Sequence, residues 1–244
     1  MSRRRALIAG LGAMGTSIAL ALNETWDVFY VDDAVSDPRG ATKGRGNYAD
    51  AVDLTIIATP EDAALRVLPQ TRGLVTSICS LMGPLRHVGQ ALRLADFIAG
   101  HPMAGTEKSG PEAARAEMFK GTVWFIDREH PIVREMIETC GATVEVIDPE
   151  EHDRGVALGS HLPQILSTAL AAYLHDHRAI SATGLRTFLR LAGSGIGMWK
   201  PLIADNRGNI APHAEAVARI VREMIDGDPT EAFRKANEFY ETLK

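Results

Sequence analysis

A strand-like run, Ala6-Leu-Ile-Ala9, passes directly into Gly10-Leu-Gly-Ala-Met-Gly15 and then into the helical pattern Thr16–Leu22. This order constrains the fold more than any other stretch of the chain, because each glycine has a separate mechanical task. Gly10 makes the tight turn out of the strand. Gly12 lets the backbone come close to an anionic ligand, and Gly15 lets the new helix pack on the strand, with its N-terminus facing the anion. Gly10, Leu11, Gly12, Ala13, Met14 and Gly15 are therefore candidate binding residues. The same glycines argue against a membrane span or signal peptide over the uncharged stretch Ala6–Asn23, and no small-residue cleavage pattern follows.

The first 148 residues alternate short β-branched runs with helical patterns: Arg5–Gly10, Asp27–Asp32, Leu54–Thr59, Leu74–Ile78, Phe97–Gly100, Val123–Asp127 and Val144–Asp148. Such alternation predicts an α/β fold with βαβ units around a mainly parallel sheet of Rossmann type. After Pro149 the strand signals stop, and helices are expected over roughly 155–177, 179–192, 197–206, 209–226 and 229–243. The expected division is a dinucleotide-binding domain over 1–150 and an all-helical domain over 151–244. In the latter, Val217, Ile220, Val221, Met224 and Ile225 form one apolar face. Asp228, Pro229 and Glu231 signal the start of the last helix. So few amphipathic helices make a thin core alone, so a partner subunit is expected.

Composition narrows the partners. A formal charge of −5 disfavours nucleic acid, and the only basic cluster, Arg3-Arg4-Arg5, reads as a solvated lead into the first strand. Cys79 and Cys140 show no metal-ligand spacing and read as reduced thiols of a cytoplasmic protein, so no metal is expected. Asp32, closing the second strand, is placed to accept the adenosine ribose hydroxyls of NAD. A 2′-phosphate would meet its charge and that of Asp33, with Arg39 as the nearby compensating cation. Thr59 and Pro60, ending the strand Leu54–Ala58, are expected to line the same crevice.

A candidate base follows in His101-Pro-Met-Ala-Gly-Thr-Glu-Lys-Ser-Gly110, where a histidine at a strand exit can face a crevice and titrate near neutral pH. This segment, Met118-Phe-Lys-Gly121, Ser80, Glu151-His-Asp-Arg154, Ser160-His-Leu-Pro163 and the glycine loop together resemble the prephenate/arogenate dehydrogenase family of tyrosine biosynthesis. The resemblance spans the chain to about Trp199, and 101–110 is its most specific part. It implies an NAD-dependent oxidoreductase, homodimeric through its helical domain. The substrate would be prephenate, arogenate or a close analogue such as an amino-substituted prephenate. Hydride leaves C4 for NAD, CO2 is lost and the ring becomes aromatic.

By the same resemblance, His101 accepts the C4 hydroxyl proton and Ser80 bonds both histidine and hydroxyl. Arg190, in Phe188-Leu-Arg-Leu-Ala-Gly193, grips a substrate carboxylate, and Glu107 lies near the substrate side chain. From the residues alone, Ser80 could instead cap a helix starting near Pro84. His161 orders the entry of a long helix or touches substrate, and His152 and Asp153 read as a cap and hinge pair. Two departures stand out. Many members carry Asp-x-x-Ser-x-Lys where this chain has Ser77-Ile-Cys-Ser80-Leu-Met82, and Ser-His-Leu-Pro-His where it has Gln164. Glutamine can donate and accept but cannot titrate, so substrate recognition at Gln164 is expected to differ. Two other readings remain. A β-hydroxyacid dehydrogenase would need a helical Lys-x-x-Asn motif, which Lys200, Lys235 and Lys244 do not supply. A non-catalytic NAD-binding sensor would bind cofactor without turnover.

Overall fold

The computed structural model describes residues 3–35, 42–105, 108–177 and 182–243. Among these, the first strands and helices are β1 (Arg4–Ala9), α1 (Ala13–Leu22), β2 (Trp26–Val31), β3 (Gly44–Arg45), β4 (Leu54–Ile57), α2 (Glu61–Val67), β5 (Val75–Ser77), α3 (Gly83–Ala91) and β6 (Phe97–Ile98). The chain then forms β7 (Gly100–Pro102), β8 (Val123–Ile126), α4 (Pro131–Thr139), β9 (Thr143–Val146) and α5 (Pro149–Val156). A π-turn (Ala157–His161) leads into α6 (Leu162–His175), α7 (Thr183–Phe188) and a 3-10 turn (Leu189–Gly193). Three helices close the chain: α8 (Ile196–Asp205), α9 (Arg207–Asp226) and α10 (Thr230–Glu241).

Two compact units result, Met1–Asp153 with Gly193–Leu202, and Arg154–Ala192 with Ile203–Lys244. The expected division at 150/151 falls three residues before the first of these breaks. In the first unit, six parallel strands are ordered β3-β2-β1-β4-β5-β6. Ala6 to Ala9 and all four residues of β4 are buried, as central parallel strands covered on both faces require. One face packs Leu11, Ile18, Leu22, Trp26, Phe119, Trp124 and Met136; the other packs Ala64, Leu68, Met82, Leu85 and Phe97. The α/β reading of the sequence is borne out. The order reverses between β1 and β4, which is where such sheets bind ligands beyond their carboxyl ends.

The expected strand Phe97–Gly100 is split. β6 pairs with β5 in the main sheet, whereas β7 enters a second sheet, antiparallel to β8, with β8 parallel to β9. Gly100 permits close backbone approach at the split, since a Cβ there would lie 2.9 Å from the Ser77 carbonyl and 3.2 Å from Trp124 Nε1. His101 therefore sits within a strand, opposite Phe125, instead of at a strand exit.

In the second unit, the helix expected over 155–177 is interrupted by the π-turn, whose end is marked by the Leu162 N–H donating to the Ala157 carbonyl. The apolar faces of this unit's last two helices are only partly covered: Ile220 and Val221 on α9, and Phe233 and Tyr240 on α10, are exposed. Asp228 Oδ1 accepts from the amide and hydroxyl of Thr230, starting α10. No described helix is long and apolar enough to cross a membrane.

Candidate active site

Beyond β1, the turn to α1 is built around glycine. Gly10 has φ +96°, and a Cβ there would lie 2.8 Å from Thr59 Cγ2 and 2.9 Å from the Ala58 carbonyl. At Gly15 a Cβ would fall 2.0 Å from the Gly10 carbonyl oxygen, so α1 packs directly on the turn. Gly12 faces open space, and no side chain caps the α1 N-terminus it precedes. Uncapped N–H groups at the positive end of a helix favour an anion. Beside them the Thr59 hydroxyl oxygen is buried without a hydrogen-bond partner. An open glycine, a bare helix start and an orphaned hydroxyl fit a dinucleotide pyrophosphate. Pro60 follows Thr59 and starts α2.

Asp32 has a structural task the sequence did not show. Its Oδ2 accepts the Leu11 amide at 2.7 Å, and its Oδ1 accepts the Ala34 and Val35 amides at 2.8 Å each. The carboxylate thus ties the glycine turn to the end of β2, while keeping further lone pairs for ribose hydroxyls. Arg39 lies outside the described residues. A cation missed in the sequence, Arg45, reaches Asp33 at 3.1 Å because β3 pairs Arg45 beside Tyr30.

Three candidate groups of the first unit, His101, His152 and Asp153, converge through tertiary contacts. His101 Nδ1 lies 3.0 Å from His152 Nε2, and His152 Nδ1 lies 2.8 Å from Asp153 Oδ1. Edge-on ring contacts hold His152 between His101, with centroids 5.0 Å apart, and Phe125, at 5.5 Å. Only 2% of His152 is exposed. Asp153 also accepts the Met82 amide on Oδ1 and the Gly83 amide on Oδ2, both at 2.9 Å. These N–H groups open α3, so Asp153 caps a helix distant in sequence.

This arrangement revises two readings of the sequence. The cap of α5 is Asp148, whose Oδ1 accepts the Glu150 and Glu151 amides, leaving His152 and Asp153 for other duties. Nor does Ser80 cap α3, because Asp153 takes that position. Ser80 is half-buried in the loop between β5 and α3. Met82 is fully buried in the core. Glu107 lies outside the described residues.

Arg190, Gln164 and His161 belong to the second unit. Arg190 is exposed on the 3-10 turn. That turn is tethered to α6: Gln164 Nε2 donates to the Leu191 carbonyl at 2.8 Å and to Thr168 Oγ1 at 3.1 Å, and Ser167 Oγ donates to the Phe188 carbonyl at 2.9 Å. His161 is buried, its Nδ1 accepting from Asn206 Nδ2 at 3.1 Å, while Asn206 Oδ1 accepts from Asn209 at 2.7 Å. Held in this way, the His161 ring fastens the π-turn to α9.

Comparison with known proteins identifies the family. The family described as prephenate dehydrogenase, nucleotide-binding domain, matches residues 39–146, and the prephenate dehydrogenase dimerization domain matches 148–241. A probable prephenate dehydrogenase, NovF, of Streptomyces niveus is 30% identical, covering 91% of this chain and 68% of that protein. The prephenate dehydrogenase of Lactococcus lactis is 27% identical over 83% of this chain. The chain spans 65% of the length of that relative. Among solved structures, a prephenate dehydrogenase from Aquifex aeolicus, in complex with hydroxyphenyl propionate and NAD+, superposes with a TM-score of 0.86 at 22% identity. It covers 100% of this chain and 96% of that one.

Proposed function

The chain belongs to the prephenate dehydrogenase family, and from that premise we propose that it catalyses the NAD-dependent oxidative decarboxylation of a cyclohexadienyl substrate, prephenate or arogenate. The observation that carries this reading is the match of both family domains across the chain, over 39–146 and 148–241. Neither the β-hydroxyacid dehydrogenase reading nor the sensor reading has comparable support.

Residues 1–150 hold the dinucleotide and residues 151–244 bind substrate and form the homodimer. The Gly10–Gly15 turn and the α1 N-terminus hold the pyrophosphate, Thr59 and Pro60 line its side, and Asp32 receives the ribose hydroxyls. NAD is favoured over NADP because Asp32 and the exposed Asp33 repel a 2′-phosphate, and Arg45 is already paired with Asp33. When bound, the nicotinamide ring supplies the acceptor for the hydride from C4.

His101 Nε2 accepts the proton of the C4 hydroxyl as that carbon becomes a carbonyl, with Ser80 bonding the same oxygen. The C1 carboxylate then leaves as CO2. Its bonding electron pair enters the ring, which becomes aromatic, and the phenolate oxygen takes the proton back from His101. Arg190 binds a substrate carboxylate as a planar fork, from a turn that Gln164 steadies. Glu107 lies toward the substrate side chain. His161 contributes by ordering the helix on which Gln164 stands. Location in the cytoplasm fits such a biosynthetic role.

The test is absorbance at the NADH band, with NAD or NADP offered against prephenate and arogenate in parallel. Turnover with NAD on either substrate is the expected result. Cofactor binding with no turnover on both would overturn the reading in favour of a sensor.

A further inference from the structure

We infer that Asp153 is the positioning residue for both proposed reacting groups, fixing the tautomer of His101 through His152 and the loop bearing Ser80 through the Met82 and Gly83 amides. This rests on the reading of His101 as the proton acceptor. The polarity of the chain follows from its last member. Asp153 faces an imidazole nitrogen and two backbone N–H groups, and a carboxylate meets all three as an acceptor. His152 must then carry its proton on Nδ1 and present Nε2 as a lone pair. His101, 3.0 Å away, donates Nδ1–H to that lone pair, which leaves Nε2 of His101 as the acceptor. Without this ordering the imidazole would be free to adopt the other tautomer, with a proton where the substrate hydroxyl needs a base.

The same carboxylate sets the other half of the site. Its contacts with Met82 and Gly83 fix the start of α3, and Ser80 lies two residues before Met82 in sequence. The fit is close on that side, since a Cβ on Gly83 would lie 2.8 Å from Asp153 Oδ2. Burial of His152 between two rings keeps water from substituting for it. When His101 takes up the proton, its Nδ1–H already points into a hydrogen-bonded chain that ends on a carboxylate, as in other histidine bases oriented by an acid.

Four variants and one spectrum test the assignment. Asp153→Asn places an amide NH2 among donors, reversing the His152 tautomer. We expect kcat to fall by about 10²–10⁴-fold, the range of general-base help, with KM changed by no more than about threefold. Asp153→Ala should lower kcat similarly. His152→Leu, which removes the relay, should match Asp153→Asn, whereas His152→Gln keeps an acceptor toward His101 and should recover most of the rate. Far-UV circular dichroism and NAD binding establish that each variant is folded. Nitrogen-15 shifts of the His101 ring in the wild type should show the proton on Nδ1. The inference is overturned by a folded Asp153→Asn with wild-type kcat, by His152→Gln no faster than His152→Leu, or by a His101 proton on Nε2. Absence of turnover in the wild type would instead sink the functional reading, and the ring spectrum would still decide the tautomer.

Discussion

Gly83 and Asp153, far apart in sequence, are in such close contact that a methyl group on the first would stand 2.8 Å from a carboxylate oxygen of the second. Asp153 is buried and cannot simply swing away, because three donors hold it. Gly83→Ala should therefore displace the carboxylate and weaken two buried backbone hydrogen bonds, costing about 1–3 kcal/mol of stability. Turnover should drop with it, as the His152–His101 chain loses its anchor. Thermal denaturation and steady-state rates on the same preparation check both effects.

The two proposed roles, proton acceptor at His101 and carboxylate fork at Arg190, should fail differently. His101→Asn removes the proton acceptor and should cut kcat by about 10²–10⁴-fold while NAD binding stays near wild type. Arg190→Ala removes a fork for a carboxylate and should act mainly on KM, by about tenfold or more. Initial-rate kinetics over a range of substrate concentrations, with cofactor affinity from fluorescence titration, separate the two.

The uncovered face of α9 predicts a dimer. Ile225 is 77% exposed and Val221 51% exposed, on the same side of α9 as the buried Ile210, and the family domain matched over 148–241 is a dimerization domain. Charging both, as Val221→Glu with Ile225→Glu, forfeits about 1.5–3 kcal/mol of apolar burial per side chain and should shift the protein toward monomer. Sedimentation velocity at micromolar concentration reads the change. A wild type that sediments as a monomer contradicts the prediction.

Asp127 sets a pH dependence of stability. Burial of its carboxyl raises its pKa from the ordinary value of 3.8, against the opposing pull of Arg86, 3.1 Å away, and of Arg128. A carboxyl whose folded pKa lies above its unfolded value stabilises the protein most below the unfolded value. That contribution is lost as pH rises through the folded value. Asp127→Asn should remove this loss, so the gap between mutant and wild-type melting temperatures should favour the mutant increasingly from just above pH 3.8 upward. Melts across that range decide it.

Much of the first unit could be read from sequence, because its signals are local. Continuous apolar runs mark strands buried on both faces, and the glycine turn stands directly between a strand pattern and a helix pattern, with Gly15 packed on the Gly10 carbonyl within the same turn. The short β3 strand carried no such pattern and escaped notice, and with it the approach of Arg45 to Asp33. Phe97–Gly100 looked like one strand because what divides it is pairing with two different partners, β5 and β8, which no local pattern reveals.

What the amino-acid order settled alone is the α/β class, the glycine turn, the helical second half and the histidine worth watching, since propensity, periodicity and backbone sterics act over a few neighbours. What needed the folded chain is the company that histidine keeps. His152 and Asp153 look like a helix start in the sequence, yet Asp148 fills that role. Only the pairing of β7 with β8 and the run of α5 bring a second imidazole and a carboxylate to His101. Hydrogen bonds between residues some fifty positions apart leave no periodic trace, because they depend on direction and distance in space.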